Sequence, residues 1–344
     1  MSSELGQFYT DRCNYILKGL YIPEGVSHVI EPFAGKGDLV VWAKRHPHVG
    51  EVEMYDIEPK MKGIVLRDTL MNPPNYEGKW VITNPPYLAR NKANDKRIFD
   101  KYTTNDLYKC FIYTLCEGKG CEGGIVIIPS GFFFSPRPID VKCRDLFMRK
   151  YTILEVKYFE ESVFDDTTTT VVAIQFEKAK NEREVQEVLW RRLPLNETRT
   201  FSVSSKNRWI VGGELYEEVK SDVKITRYVE GKDTTVDTQI TNMCLRALDT
   251  GNANGRIGLE FKEGYVFRAK ESDRTYATLC VRGVRLNRDE QIEICKRFNL
   301  FIENKRQLLW SLFLPQYRES KEYARKRIPF DLAYNLVKKI IVSK

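Results

Sequence analysis

Over the first half of the chain, short apolar runs alternate with longer amphipathic stretches. Val29-Ile30, Glu51 to Tyr55, Trp80 to Thr83, Gly124 to Ile128 and Ile153 to Tyr158 are short, rich in β-branched residues and bounded by Gly, Pro or Asp, which predicts strands. Leu39 to Lys44, Asp106 to Leu115 and Val141 to Arg149 predict helices, the second preceded by the capping side chains Thr103, Thr104 and Asn105. Strands alternating with helices imply an α/β fold with a doubly wound, mostly parallel sheet. Thr170 to Phe176 adds a strand close enough to Tyr158-Phe159 to form an edge hairpin. The charged stretch Lys178 to Glu187 reads as a surface link, dividing the chain into residues 1–185 and 186–344. Leu193 to about Phe267 is mixed, with turn signals at Gly212-Gly213 and Gly251 to Gly255. From Asp289 the spacing of Ile292, Cys295, Phe298, Phe301 and Leu308 is helical, and a last helix is expected from Phe330 to Ile341. The second domain is therefore smaller and mixed or mainly helical.

A length of 344 residues agrees with about two domains. No run approaches the roughly 18 apolar residues of a membrane span, and the start MSSELGQFYT lacks the regions of a signal peptide, so a soluble, cytoplasmic chain is expected. The eight cysteines include no CxxC pair, and no structural metal is expected. Residues 1–180 carry 24 basic and 24 acidic side chains, whereas residues 181–344 carry 31 and 23. That asymmetry suits one neutral catalytic or scaffold half and one half that meets a polyanion, although a solvated basic surface would give the same count.

The strongest local signal is Asn84-Pro85-Pro86-Tyr87, directly after an apolar strand. Two prolines fix φ and remove two backbone donors, so a stiff turn presents carbonyls and the Asn amide at a strand's C-terminal end, where α/β sheets bind ligands. An amino group conjugated to an aromatic ring is a poor nucleophile. Hydrogen bonds accepted by the Asn84 side-chain oxygen and the Pro85 carbonyl would favour its pyramidal, nucleophilic form, and Tyr87 can stack on the ring. A merely rigid turn capped by Asn84 is the plain alternative. Upstream, Glu31-Pro32-Phe33-Ala34-Gly35-Lys36-Gly37 forms a small-residue strand-to-helix loop. Its glycines permit close backbone approach, and a carboxylate at Glu31 suits a cationic ligand such as an ammonium or sulfonium. Asp56 lies about 20 residues on, the spacing at which such folds bind ribose hydroxyls, and Asp68 could accept from an adenine amino group.

Gly6-Gln7-Phe8-Tyr9-Thr10, Glu31 to Gly37, Asp56-Ile57, Asp68, Asn84 to Tyr87 and Val163-Phe164, in that order, resemble the motif series of S-adenosylmethionine-dependent DNA adenine-N6 methyltransferases of the gamma group of restriction-modification enzymes. The resemblance covers about residues 4–178; the family's Thr-Pro is Thr10-Asp11 here. It implies a Rossmann-like catalytic domain followed by a target-recognition domain. Tyr9, Thr10 and the loop Glu31, Pro32, Phe33, Ala34, Gly35 and Gly37 would lie near the methionine moiety of the cofactor. Asp56 would hold the ribose, Ile57 would pack on the adenine ring, and Asp68 would bind its amino group. Asn84, next to the cofactor, and Pro85 would position the target amine. Tyr87 and Phe164 would meet the two sides of a flipped base.

Double-stranded DNA is the expected partner, with no membrane and no obligate protein partner; the resemblance leaves room for a cognate restriction endonuclease acting on the same site. Arg90 and Lys92 lie in a polar, basic segment, Ala89 to Lys101, that suits a mobile loop gripping DNA. Arg318, Lys321, Arg325, Lys326 and Arg327 form the densest basic cluster and are expected on phosphates. Base edges could be read from around Gly251 to Arg256 and Arg282 to Arg288. Phe132-Phe133-Phe134 is read as core. The alternatives are an RNA or protein-glutamine N-methyltransferase, or an inactive nucleic-acid-binding module.

Overall fold

A computed structural model describes residues 6–164, 169–232, 237–250, 256–317 and 325–343. The chain forms two compact units, the first running through Trp209 and the second beginning at Ile210. In the first, nine strands of the described residues form one sheet: β1 (His28–Glu31), β2 (Glu51–Asp56), β3 (Val65–Leu66), β4 (Trp80–Thr83), β5 (Gly123–Pro129), β6 (Tyr151–Phe159), β7 (Val171–Lys178), β8 (Val185–Leu193) and β9 (Glu197–Ser204). Their order is β3-β2-β1-β4-β5-β7-β6-β8-β9, and only β7 and β9 run against the rest. The short helices α1 (Cys13–Ile16), α2 (Asp38–Ala43), α3 (Arg97–Tyr102) and α5 (Gly131–Phe134) accompany the longer α4 (Leu107–Cys116) and α6 (Pro138–Lys150). Strands β4 and β5 are buried almost throughout, as strands covered on both faces must be, and their sequences WVIT and GGIVIIP are accordingly apolar without alternation.

The chain winds outward from β1 to β2 and β3, then returns to the other side of β1 as β4. The crevice beyond the C-terminal ends of β1 and β4 is thus the topological switch point, the place where open α/β sheets take ligands. The mostly parallel, doubly wound sheet is the one the sequence pattern implies. Phe132, Phe133 and Phe134 are core, with Phe133 and Phe134 packed on Trp190.

The sheet departs from the sequence pattern in two places. The hairpin of β6 and β7 forms, but β7 inserts between β5 and β6 and is internal. The charged stretch at 178–187 is not a link between domains. It turns the chain into β8, which pairs with β6, so the first unit ends at 209 and not at 185. Gln186, Val188 and Trp190 alternate inward, and Gln186 binds the backbone of Ile153, Met148 and Tyr151 at 2.6–2.9 Å. Beyond β9, Trp209 is fully buried and donates its indole N–H to Asp145 on α6 at 2.7 Å. Arg144, also fully buried, donates to the carbonyls of Arg208, Phe132 and Ser135.

The second unit, expected to be mixed or mainly helical, is mixed. An antiparallel sheet of order β10-β13-β11-β12, comprising β10 (Lys224–Arg227), β11 (Thr238–Arg246), β12 (Gly258–Phe261) and β13 (Tyr276–Arg282), packs against helices α7 (Arg288–Leu308) and α8 (Phe330–Val342). Met243, Leu245, Leu259, Leu279 and Val281 share a core with Ile294, Phe298 and Ile302 of α7 and Leu336, Val337 and Ile340 of α8. A capping box starts α7: the Asn287 side chain accepts from Glu290 N and the Glu290 carboxylate from Asn287 N, each at 2.9 Å.

Arg144→Met would leave three carbonyls without this donor. At roughly 1 kcal/mol for each, it is expected to destabilise the protein by about 3 kcal/mol, measured by urea unfolding.

Candidate active site

The turn Asn84 to Tyr87 follows β4 at the switch point, and the segment Gly6 to Thr10 lies against it. Tyr87 N donates to Gly6 O at 2.8 Å. Asn84 Nδ2 donates to Phe8 O at 2.8 Å and to Thr10 Oγ1 at 3.1 Å. On the other side of the amide, the Tyr87 hydroxyl donates to Asn84 Oδ1 and also lies 2.7 Å from the Ile127 carbonyl of β5. Gly6 has φ +69°, and a Cβ there would fall 2.8 Å from Tyr87 O, so no other residue lets the segment lie this close.

Beside the turn, Glu31 at the end of β1 is fully buried. Its Oε1 accepts from Thr83 Oγ1 at 2.5 Å and from Phe33 N at 3.0 Å, while Oε2 has no hydrogen-bond partner among the described residues. Burial raises the Glu31 carboxyl to about 8, against the lowering effect of the two donors and with a further rise from Asp56.

Ahead of these elements opens a cleft of about 480 Å³. Tyr9, Phe33, Gly35, Asp56, Ile57, Asp68 and Asn84 all line it, each a residue singled out in the sequence. Gly35 adopts φ +51° and donates its N–H to Asp56 Oδ2 at 2.8 Å; Glu58 N holds Oδ1 at 2.7 Å. Asp68 Oδ1 accepts from the N–H groups of Leu70 and Met71 at 3.0–3.1 Å, an Asx turn that leaves Oδ2 without a partner among the described residues. Ile57 stands 45% exposed on this wall. Lys36 Nζ lies 4.3 Å from the centre of the Tyr9 ring.

Other candidates lie elsewhere. Thr10, Glu31, Pro32, Ala34, Gly37 and Pro85 are buried and do not line the cleft; in particular, the Thr10 hydroxyl is engaged by Asn84 and is not offered to a ligand. Tyr87 and Phe164 are buried too, so neither presents an open face to a base. The Phe8 ring stacks on Tyr87 at 5.4 Å and comes within 6.5 Å of Phe164, filling the place expected for the base. Phe8, together with Leu88, Phe99 and Leu107, lines the cleft without having been assigned a role from sequence. The motif around Phe8 was visible; the contact was not, because Phe8 and Tyr87 are remote in sequence.

The basic residues are likewise redistributed. Arg90 pairs with Asp100 at 2.7 Å, Lys92 is exposed, and part of the segment expected to be a mobile loop forms α3 and lines the cleft through Arg97, Ile98 and Phe99. Arg318 and Lys321 lie outside the described residues, as do residues 251–255. Arg325 and Lys326 are buried in a short strand paired with Gln316 and Tyr317, so they form no solvated phosphate-binding face. Arg327 is half-buried. Lys224 and Arg282, by contrast, are exposed and directly opposite one another on β10 and β13. His28, Glu51 and Glu53 gather at the N-terminal ends of β1 and β2, but Lys79 already lies 2.6 Å from Glu53.

No protein-family model matches the chain, and no curated protein matches it. Among solved structures the chain is similar to one described as the modification subunit of a type I restriction enzyme from Vibrio vulnificus YJ016, at 14% identity over 57% of this chain and 49% of that one, with a TM-score of 0.43. It is similar also to a type I restriction-modification complex component, at 16% identity over 58% and 49% with a TM-score of 0.44. A type I methyltransferase subunit from Streptococcus thermophilus gives 16% over 54% and 47%, with a TM-score of 0.40. The chain spans about half the length of these structures. Among the described residues no helix is long and apolar enough to cross a membrane.

The raised Glu31 carboxyl has a measurable consequence. Between the ordinary value of 4.5 and about 8 the native state holds a proton that the unfolded chain has released, so this group lowers stability as pH rises through that window. Urea unfolding of the ligand-free protein from pH 5 to 8 is expected to show the decline, and Glu31→Gln to flatten it.

Proposed function

We propose that the first unit is an S-adenosylmethionine-dependent methyltransferase acting on the exocyclic amine of adenine in duplex DNA, with the second unit contacting the target. The observation that carries this reading is that Asn84, the first residue of the catalytic turn, lines the same cleft as Asp56, Ile57 and Asp68. A site that merely stiffened the turn would need none of those three beside it.

The residues present fit the cofactor. An exposed isoleucine on a cleft wall offers a flat apolar rest for a purine. A buried carboxyl with one unpartnered oxygen lies just behind the loop, where a cation would draw it into its charged form. Tyr9, Phe33, Gly35, Asp56, Ile57 and Asp68 would hold the group. Bound there, S-adenosylmethionine supplies an activated methyl on a sulfonium, which is already a good leaving group.

The chain's own part is alignment. Asn84 Oδ1 has two lone pairs, of which Tyr87 takes one, so the other is open to an amine hydrogen. The Pro85 carbonyl, although Pro85 does not line the cleft of the free protein, would take the second hydrogen once the base has displaced Phe8. With both bonds made, the nitrogen lone pair is released from the ring and directed into the cleft. The displacement asks for alignment and a dry pocket more than for a strong base, and no general base is assigned. In this reading an extruded base that stacks on Tyr87 displaces the Phe8 ring, so base entry and Phe8 movement are one event.

Labelled S-adenosylmethionine offered with mixed-sequence duplex DNA, RNA and protein extract in parallel is expected to label N6-methyladenine in DNA. Asn84→Ala should reduce transfer by about 100-fold or more, the order for removing one preorganised hydrogen-bonding group at a reacting centre. Label confined to RNA or protein would replace the substrate, and cofactor binding without transfer would leave a binding module.

Lys224 and Arg282 are like charges facing each other across two strands, an arrangement that an anion relieves. Changing either to Gln is expected to weaken DNA binding alike for all sequences and to lower the slope of log K against log salt by about one.

A further inference from the structure

The two hydrogens of Asn84 Nδ2 are both used, one on the Phe8 carbonyl at 2.8 Å and one on the Thr10 hydroxyl at 3.1 Å, and the oxygen receives the Tyr87 hydroxyl. A carboxamide turned over would set its oxygen against the Phe8 carbonyl, acceptor against acceptor, and its NH2 toward the Tyr87 side. Thr10 is buried, absent from the cleft wall, and reaches the reacting region only through Asn84.

We infer that Thr10 is a positioning residue: the Phe8 carbonyl, which can only accept, decides which way the Asn84 carboxamide faces, and the Thr10 hydroxyl, by taking the second Nδ2 hydrogen, holds that carboxamide in place so that its oxygen is offered to the target amine. This rests on the reading of Asn84 given above. Orientation is decisive because the flipped amide would donate into the amine's lone pair, the electron pair the transfer requires, while the correct one accepts the amine's hydrogens and leaves that pair free. The role differs from contact with the methionine moiety, which the sequence resemblance implied for Thr10. It makes the segment Gly6 to Thr10 part of the turn's own framework.

Thr10→Val keeps the shape and removes the acceptor. With wild-type protein transferring methyl to duplex DNA as reference, the variant is expected to lose about tenfold in kcat with cofactor Kd within about twofold of wild type, and Thr10→Ser to restore kcat. Thr10→Ala, which adds no bulk, carries the same expectation should the valine variant not fold. Independently of turnover, one of the two Asn84 side-chain N–H resonances, assigned by its loss in Asn84→Asp, should shift and exchange faster in Thr10→Val but not in Thr10→Ser. An unchanged kcat, a loss confined to cofactor affinity, a serine variant as impaired as the valine, or unmoved Asn84 resonances would each overturn the inference while leaving the methyltransferase reading in place. A wild-type protein that transfers methyl to no amine would remove both.

Discussion

The Asn84 carboxamide holds together three stretches of chain that are far apart in sequence. Its nitrogen binds the segment around Phe8 and Thr10, its oxygen binds Tyr87, and Tyr87 in turn reaches Ile127 in the centre of the sheet. Water is largely excluded there, and each polar atom of such a network is costly to leave unpaired, so the members stand or fall together. The shape of the cleft follows from this network. Phe8 and Tyr9 form part of its wall because Asn84 has anchored the backbone between them and Thr10, and Gly6 permits the approach.

A second constraint lies one strand away. Glu31 closes β1 and takes the hydroxyl of Thr83, the last residue of β4, so the two strands that flank the switch point are joined at their ends by a buried carboxyl. A buried acid with one oxygen unmatched is poorly accommodated alone and much better beside a cation. The loop behind the cleft therefore carries an acid whose charged form has no counter-charge among the described residues.

Much of this was legible in the sequence because it is local. The strands through β7, apart from the two-residue β3, follow from apolar runs bounded by turn residues, and the site residues fall where strand ends must place them: Glu31 closing β1, Asp56 closing β2 and Asn84 just after β4. What was not legible depends on contacts between remote segments. Thr10 was read as a neighbour of a ligand and Phe8 was given no role, yet Thr10 binds Asn84 and Phe8 stacks on Tyr87. Arg325 and Lys326 were read from charge density as an exposed face, but they occupy a buried strand, and charge alone does not reveal burial when a partner lies elsewhere in the chain. The boundary at 185 failed for a different reason: the charges at 178–184 outweighed the inward alternation of Gln186, Val188 and Trp190 that announces another strand.

Those added strands also decide how the sheet ends. Without β8 and β9, the long and largely buried β6 would be an outer strand, offering an apolar ladder of unpaired N–H and C=O groups to any similar strand in solution. With them, the rim on that side is β9, whose residues 197–200 are all exposed and read Glu-Thr-Arg-Thr. The opposite rim, β3, is only two residues long. A short rim and a charged one are poor templates for strand addition, so the nine-stranded sheet is guarded at both ends against growth into its neighbours, a protection that matters most at the concentrations where folded proteins aggregate through their edges.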